Sequence, residues 1–150
     1  MKSFALILLT AFTSSLYGQN ISFSTGLEKT AAGTELNVAS GYLTKNNWSL
    51  GVFHQTKIMN TQTEQIDTRL GSNWYGLYIN APLANSKKIN VLFQLRTGIS
   101  EEKFIIVVPA VETHINFSKL VSVSLGTSLR YTYPAFSIKA HVYPFKLRKR

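Results

Sequence analysis

The chain has 150 residues, of which 45% are hydrophobic and only 15% charged, with no cysteine and a net charge of +9. A soluble domain usually devotes about a quarter of its residues to charge, so an ordinary solvated surface fits poorly. The lack of cysteine excludes a disulfide scaffold and a thiolate metal site, and no run after residue 18 approaches the ~18 apolar residues of a spanning helix.

Lys2, an apolar run over residues 4–12 and a small, polar exit over 14–18 have the three parts of a secretory signal peptide. Residues 1–18 are therefore expected to be cleaved near Gly18. Residues 19–145 then form one domain, and residues 146–150 a basic tail. Lys146, Arg148, Lys149 and Arg150 give this tail a concentrated positive charge.

Beyond the leader the chain alternates with period two, the signature of strands and not of helices. A first strand over 21–28 sets Ile21, Phe23, Thr25 and Leu27 against Ser22, Ser24, Gly26 and Glu28. The second, 34–43, opposes Leu36, Val38 and Tyr42 to Glu35, Asn37, Ala39 and Gly41. In the third, 48–56, Trp48, Leu50 and Val52 share a parity, with Phe53 on the other. Residues 57–72 lack apolar periodicity and are rich in Thr, Gln and Asn, which predicts a loop or a strand extension.

The fourth strand, 73–83, carries Tyr75, Leu77, Ile79 and Ala81 against Trp74, Gly76, Tyr78 and Asn80. The fifth, 88–97, alternates Ile89, Val91, Phe93 and Leu95 with Asn90, Gln94 and Arg96, Leu92 being the exception. In the sixth, 104–117, Ile105, Val107, Val111, Thr113, Ile115 and Phe117 oppose Ile106, Val108, Ala110, Glu112, His114 and Asn116. Pro109 has no N–H for a ladder bond, which predicts a bulge or kink there. A closing hairpin over 120–145 has Val121, Val123, Leu125 and Leu129 on one parity of its first half. Phe136, Ile138, Ala140 and Val142 share a parity in its second half, opposite Ser137, Lys139, His141 and Tyr143.

Eight strands joined in sequence predict a single antiparallel up-and-down β-barrel. Such a sheet spans a membrane only when closed, because lipid leaves no partner for an open edge. The links at 44–47, 84–87 and 118–119 are short and alternate with longer ones, as periplasmic turns and external loops do. Aromatics sort into two levels: Tyr42, Trp48, Phe117, Tyr143 and Phe145 near one rim, Trp74, Tyr75, Phe104, Tyr131 and Tyr133 near the other. Interfacial girdles have that arrangement. The polar parity is rich in Ser, Gly and Asn, with Glu28, Glu35 and Glu112 matching Arg96, Arg130 and Lys139. A solvated face would be dense in Lys and Glu, whereas a narrow lumen needs small residues and paired charges. A secreted lipocalin-like barrel, with its apolar parity inward, is the alternative reading.

The leader, the alternating strands and the aromatic terminal strand resemble the small eight-stranded outer-membrane barrels of the OmpA transmembrane-domain and OmpX type. The resemblance implies residence in the outer membrane of a Gram-negative bacterium, among lipid and lipopolysaccharide. It also implies insertion by the barrel-assembly machinery, whose recognition signal would fall on Lys139, Ala140, Tyr143 and Phe145. Tyr143 and Phe145 lie on the parity opposite Phe136 and Ile138, so a bulge near 141–144 is expected.

Two constellations carry candidate chemistry. Glu28, Glu35, Arg96 and Arg130 would form a salt-bridged plug, joined in a lumen charge network by Glu112 and Lys139. Glu112, His114 and His141 combine a carboxylate with two imidazoles, the donor types of a zinc or acid–base site, but no tight motif fixes them and no metal is expected. His54 stands on the apolar parity, where barrel lipid hydrolases keep a catalytic His, without a recognisable Ser and acid. No phosphate loop, nucleophile elbow or HExxH is present, and basic residues confined to turns and a tail do not suggest nucleic acid. The expected function is non-enzymatic and without a cofactor: a structural or accessory subunit of an envelope complex, meeting its protein partner through residues 57–72 or the basic tail. A lipid-modifying barrel enzyme is the other alternative.

Overall fold

The structure, a computed structural model, describes residues 20–44, 46–60 and 73–144. The expected leader, most of the 57–72 loop, Phe145 and the basic tail lie outside these residues. Eight strands follow one another: β1 Asn20–Thr30, β2 Gly33–Leu43, β3 Ser49–Asn60, β4 Trp74–Asn85, β5 Ile89–Ser100, β6 Ile105–Asn116, β7 Val121–Arg130 and β8 Tyr133–Val142. Each pairs antiparallel with the next, and β8 returns to β1, so the sheet closes into a barrel without a free edge. The seam runs in unbroken register from Phe23 opposite Val142 to Lys29 opposite Phe136.

The alternation read from the sequence becomes an outside and an inside. Leu27, Val38, Leu50, Val52, Leu77, Ile79, Val107, Leu125 and Ile138 all lie exposed on the barrel's exterior. Glu28, Asn37, Gln55, Asn80, Gln94, Arg96, Ser124 and Arg130 are buried in the lumen. This is the inverse of a soluble barrel that shelters an apolar ligand.

Closing eight strands over so narrow a lumen demands sharp curvature, and glycine supplies it on the inner face. Gly76 faces Gly98 across the β4–β5 ladder, and a Cβ on either would strike backbone of the facing strand. Gly33 opens β2 at φ 141°, a conformation that other residues rarely adopt, and so permits the tight turn at Ala31 and Ala32.

Several local expectations are corrected. Pro109 causes no bulge, because its register with Leu95 is continuous and the β6–β7 ladder stops at Ala110, leaving no bond for its missing N–H to break. The irregularities lie elsewhere. Ile58 is the extra residue where Thr34 faces Met59 and Glu35 faces Lys57, and Leu83 is extra where Pro82 faces Leu92 and Ala84 faces Val91. Residues 57–60 continue β3, the strand-extension alternative of the sequence reading.

No bulge shifts the parity of β8 either: its register with β7 is even from Arg130–Tyr133 to Val121–Val142. Tyr143 therefore points inward, where its hydroxyl lies 3.3 Å from Ser122 Oγ, and it does not join an exterior girdle. Trp74 is likewise inside, fully buried. The tightest links, at 31–32 and 131–132, close the end opposite the chain termini, with Tyr131 in the left-handed region at φ 57°. Short links are thus not confined to the termini end.

Candidate functional site

The lumen side chains form two polar layers. In the layer away from the termini, Glu28 on β1 and Glu35 on β2 stand opposite each other in the ladder and both turn inward, toward Arg96 from β5 and Arg130 from β7. Arg96 Nη2 donates to Glu28 Oε1 at 2.9 Å, and its Nη1 lies 2.8 Å from Glu28 Oε2. Arg130 Nη1 donates to both oxygens of Glu35, at 2.9 and 2.8 Å. Gln55 on β3 links the two pairs: its Nε2 donates to Glu35 Oε2, and its Oε1 accepts from Arg96 Nη1 at 2.8 Å. Ser128 Oγ donates to Glu28 Oε1 at 3.1 Å and Asn37 Nδ2 to Gln55 Oε1 at 3.3 Å. Each buried charge is thereby opposed by another and hydrogen-bonded besides, the condition under which burial is tolerated.

Trp74 completes this layer. Its ring lies 5.5 Å from the Arg96 guanidinium carbon and 5.1 Å from that of Arg130, within cation–π range of both. Phe53 meets it edge-on, with centroids 4.5 Å apart. Height along the strand alone would put Trp74 in a girdle, but its parity with Gly76, Tyr78 and Asn80 marks it as an inward residue. Gln55, Ser128 and Phe53 do not stand out as site residues in the sequence; Phe53, an aromatic on the polar parity, is the one available signal.

Nearer the termini, Lys139 Nζ pairs with Glu112 Oε1. His114 Nε2 lies 3.1 Å from the other carboxylate oxygen, Glu112 Oε2. The His114 and His141 rings sit 4.3 Å apart, and His141 Nε2 is 2.8 Å from Ser124 Oγ. Glu112, His114, His141 and Lys139 are all buried. Beside them a cavity of about 30 Å³ is lined by His114, His141, Lys139, Arg96, Gln94 and Tyr78 and reaches the rim at Leu43 and Ser49. Gln94 Oε1 is buried there with no hydrogen-bond partner among the described residues, the setting of an ordered water.

The remaining candidates separate. Ala140 is exposed on the exterior, while Lys139 and Tyr143 face the lumen; Phe145 lies outside the described residues. His54 is exposed on the exterior of β3, its Nε2 2.7 Å from Thr56 Oγ1 two residues along the same face. No carboxylate or amide bonds to its ring among the described residues.

No protein-family model and no curated protein matches the sequence. Solved structures do. One, titled "De novo design of transmembrane beta-barrels", superposes with a TM-score of 0.67 over 83% of this chain and 94% of its own, at 6% identity. The solution NMR structure of the de novo designed TMB2.3 gives a TM-score of 0.65 over 84% and 94%, at 5% identity. At that identity the likeness is one of fold, and the fold is an eight-stranded, closed antiparallel barrel of the kind found in transmembrane β-barrels.

Proposed function

We propose that the chain is a non-enzymatic outer-membrane β-barrel of the OmpA transmembrane-domain and OmpX type. In this reading it is exported to a Gram-negative envelope with its leader cleaved near Gly18, and serves as a structural or accessory subunit of an envelope complex. The observation that carries the reading is the inversion of the barrel: large aliphatic side chains cover the outside and three charge pairs fill the inside. An apolar exterior of this extent is stable against lipid and a liability in water. The plug of Glu28, Arg96, Glu35 and Arg130 favours a structural role over conduction.

The partners in this reading are outer-membrane lipid and lipopolysaccharide, the assembly machinery during insertion, and an envelope protein met through residues 57–72 or the basic tail. Heat-modifiable gel migration of the chain from outer-membrane fractions is the expected result. A mature chain recovered from the soluble periplasm would overturn the proposal. Purification in mild detergent then separates a subunit, which brings a stoichiometric partner, from a lone barrel.

One contact favours a second reading, ester chemistry on lipid. Thr56 Oγ1 and His54 Nε2, 2.7 Å apart on the exterior, have the spacing of a hydroxyl nucleophile and its base. No group orients the imidazole among the described residues, so this reading ranks second. Unchanged phospholipid and lipid A profiles in a strain carrying Thr56→Val would remove it.

A further inference from the structure

We propose that Glu112, His114 and His141 form a binding site for a transition-metal dication of the zinc class inside the lumen. The three side chains can each direct one donor atom to a common point, since these atoms lie within 4.8 Å of one another. Two imidazoles and one carboxylate are the ligand set of borderline metals such as Zn²⁺ and Co²⁺, not of Mg²⁺ or Ca²⁺, which prefer oxygen alone.

The geometry goes beyond proximity. Metal bonds of about 2.0–2.2 Å arranged tetrahedrally place neighbouring donors roughly 3.3–3.5 Å apart. His114 Nε2 and Glu112 Oε2 already stand 3.1 Å apart, so an ion that displaces the proton shared between them needs little movement. The carboxylate is held ready from behind, because Lys139 Nζ occupies Oε1 and leaves Oε2 turned to the imidazoles. Ser124 Oγ fixes the His141 ring through Nε2. Hydrogen-bonded supports of this kind orient ligands in protein metal sites.

The adjoining cavity supplies the rest. Both histidines line it, its volume of about 30 Å³ holds a water or two, and it reaches the rim at Leu43 and Ser49. An ion therefore has a route of entry and an exogenous oxygen for its fourth position. Opposing it is the Lys139 ammonium, a like charge beside the dication, which lowers affinity without occupying the site.

That opposition makes the test two-sided. The chain, folded in detergent and freed of metal by chelator, is titrated with Zn²⁺ by calorimetry, then loaded with Co²⁺ and read by visible absorption. One ion per barrel is expected, with the intense bands of four-coordinate cobalt. Glu112→Gln and His141→Asn should each weaken Zn²⁺ at least tenfold, and His54→Asn should leave it unchanged. Lys139→Gln keeps a donor to Glu112 but removes the repelling charge, so it should tighten Zn²⁺ severalfold. Absence of saturable binding, six-coordinate cobalt, or undiminished affinity in Glu112→Gln and His141→Asn would overturn the site. So would unchanged or weaker affinity in Lys139→Gln, provided its heat-modifiable band shows that it folds.

Discussion

Arg130 holds both oxygens of Glu35 from a single nitrogen, at 2.9 and 2.8 Å, with both side chains about 1% exposed. Removing one partner strands the other charge in the lumen. Arg130→Met is therefore expected to cost about 3–5 kcal/mol, as the loss of one member of a buried pair does. The double variant Glu35→Leu, Arg130→Met should recover most of that loss. Urea titration of the detergent-folded barrel, scored by gel mobility, measures both, and a double variant as unstable as the single would show that the pair itself stabilises the barrel.

The chain has two tryptophans, and the fold puts them on opposite faces: Trp74 is fully buried in the lumen, whereas Trp48 is 47% exposed on the exterior. In vesicles with brominated acyl chains, the Trp74→Phe variant, which keeps Trp48, should be strongly quenched. The Trp48→Phe variant, which keeps Trp74, should stay bright. Equal quenching would place Trp74 in lipid and undo the inward reading of its parity.

Gly76→Ala or Gly98→Ala drives a methyl group into backbone of the facing strand, which cannot yield without opening the ladder. A loss of about 1–3 kcal/mol is expected in the same titration, the usual cost of overpacking. Gly126→Ala should cost less, since its Cβ first meets the Ser137 hydroxyl at 2.7 Å, a side-chain end that can turn aside, and meets Glu112 Cγ only at 3.0 Å.

Ile79 lies mid-strand on β4 and is 40% exposed on the exterior. In lipid vesicles Ile79→Arg is expected to destabilise by about 2–4 kcal/mol, the cost of a charge on the lipid face near the bilayer midplane. A nearly neutral effect would mean that this face meets water.

The eight strands and their inward and outward faces are legible in the sequence because the barrel has one wall, and period two reports which side of that wall a residue takes. That logic puts Glu28, Glu35, Arg96, Arg130, Glu112 and Lys139 on one parity. Which acid meets which base is not legible, for it depends on the stagger of strands around the closed sheet, a property of the whole ring and not of any segment. The bulges at Ile58 and Leu83 escape for a related reason, as neither interrupts its own strand in sequence and each exists only against a partner. Trp74 is misplaced when a side chain's level along the barrel is allowed to outweigh its parity. The proximity of His114 and His141, from strands separated by β7, also depends on the stagger.

The charge pairs also impose an order on assembly. Both lumen carboxylates of the first hairpin, Glu28 and Glu35, await arginines 68 and 95 residues further along, and Glu112 on β6 awaits Lys139 on β8. Among the fully buried described residues, an inserted chain that stops before β7 has Glu28, Glu35 and Glu112 with only Arg96 to answer them. Completion of the last hairpin is thus what neutralises the interior, so a half-built barrel is electrostatically marked and distinguishable from a finished one.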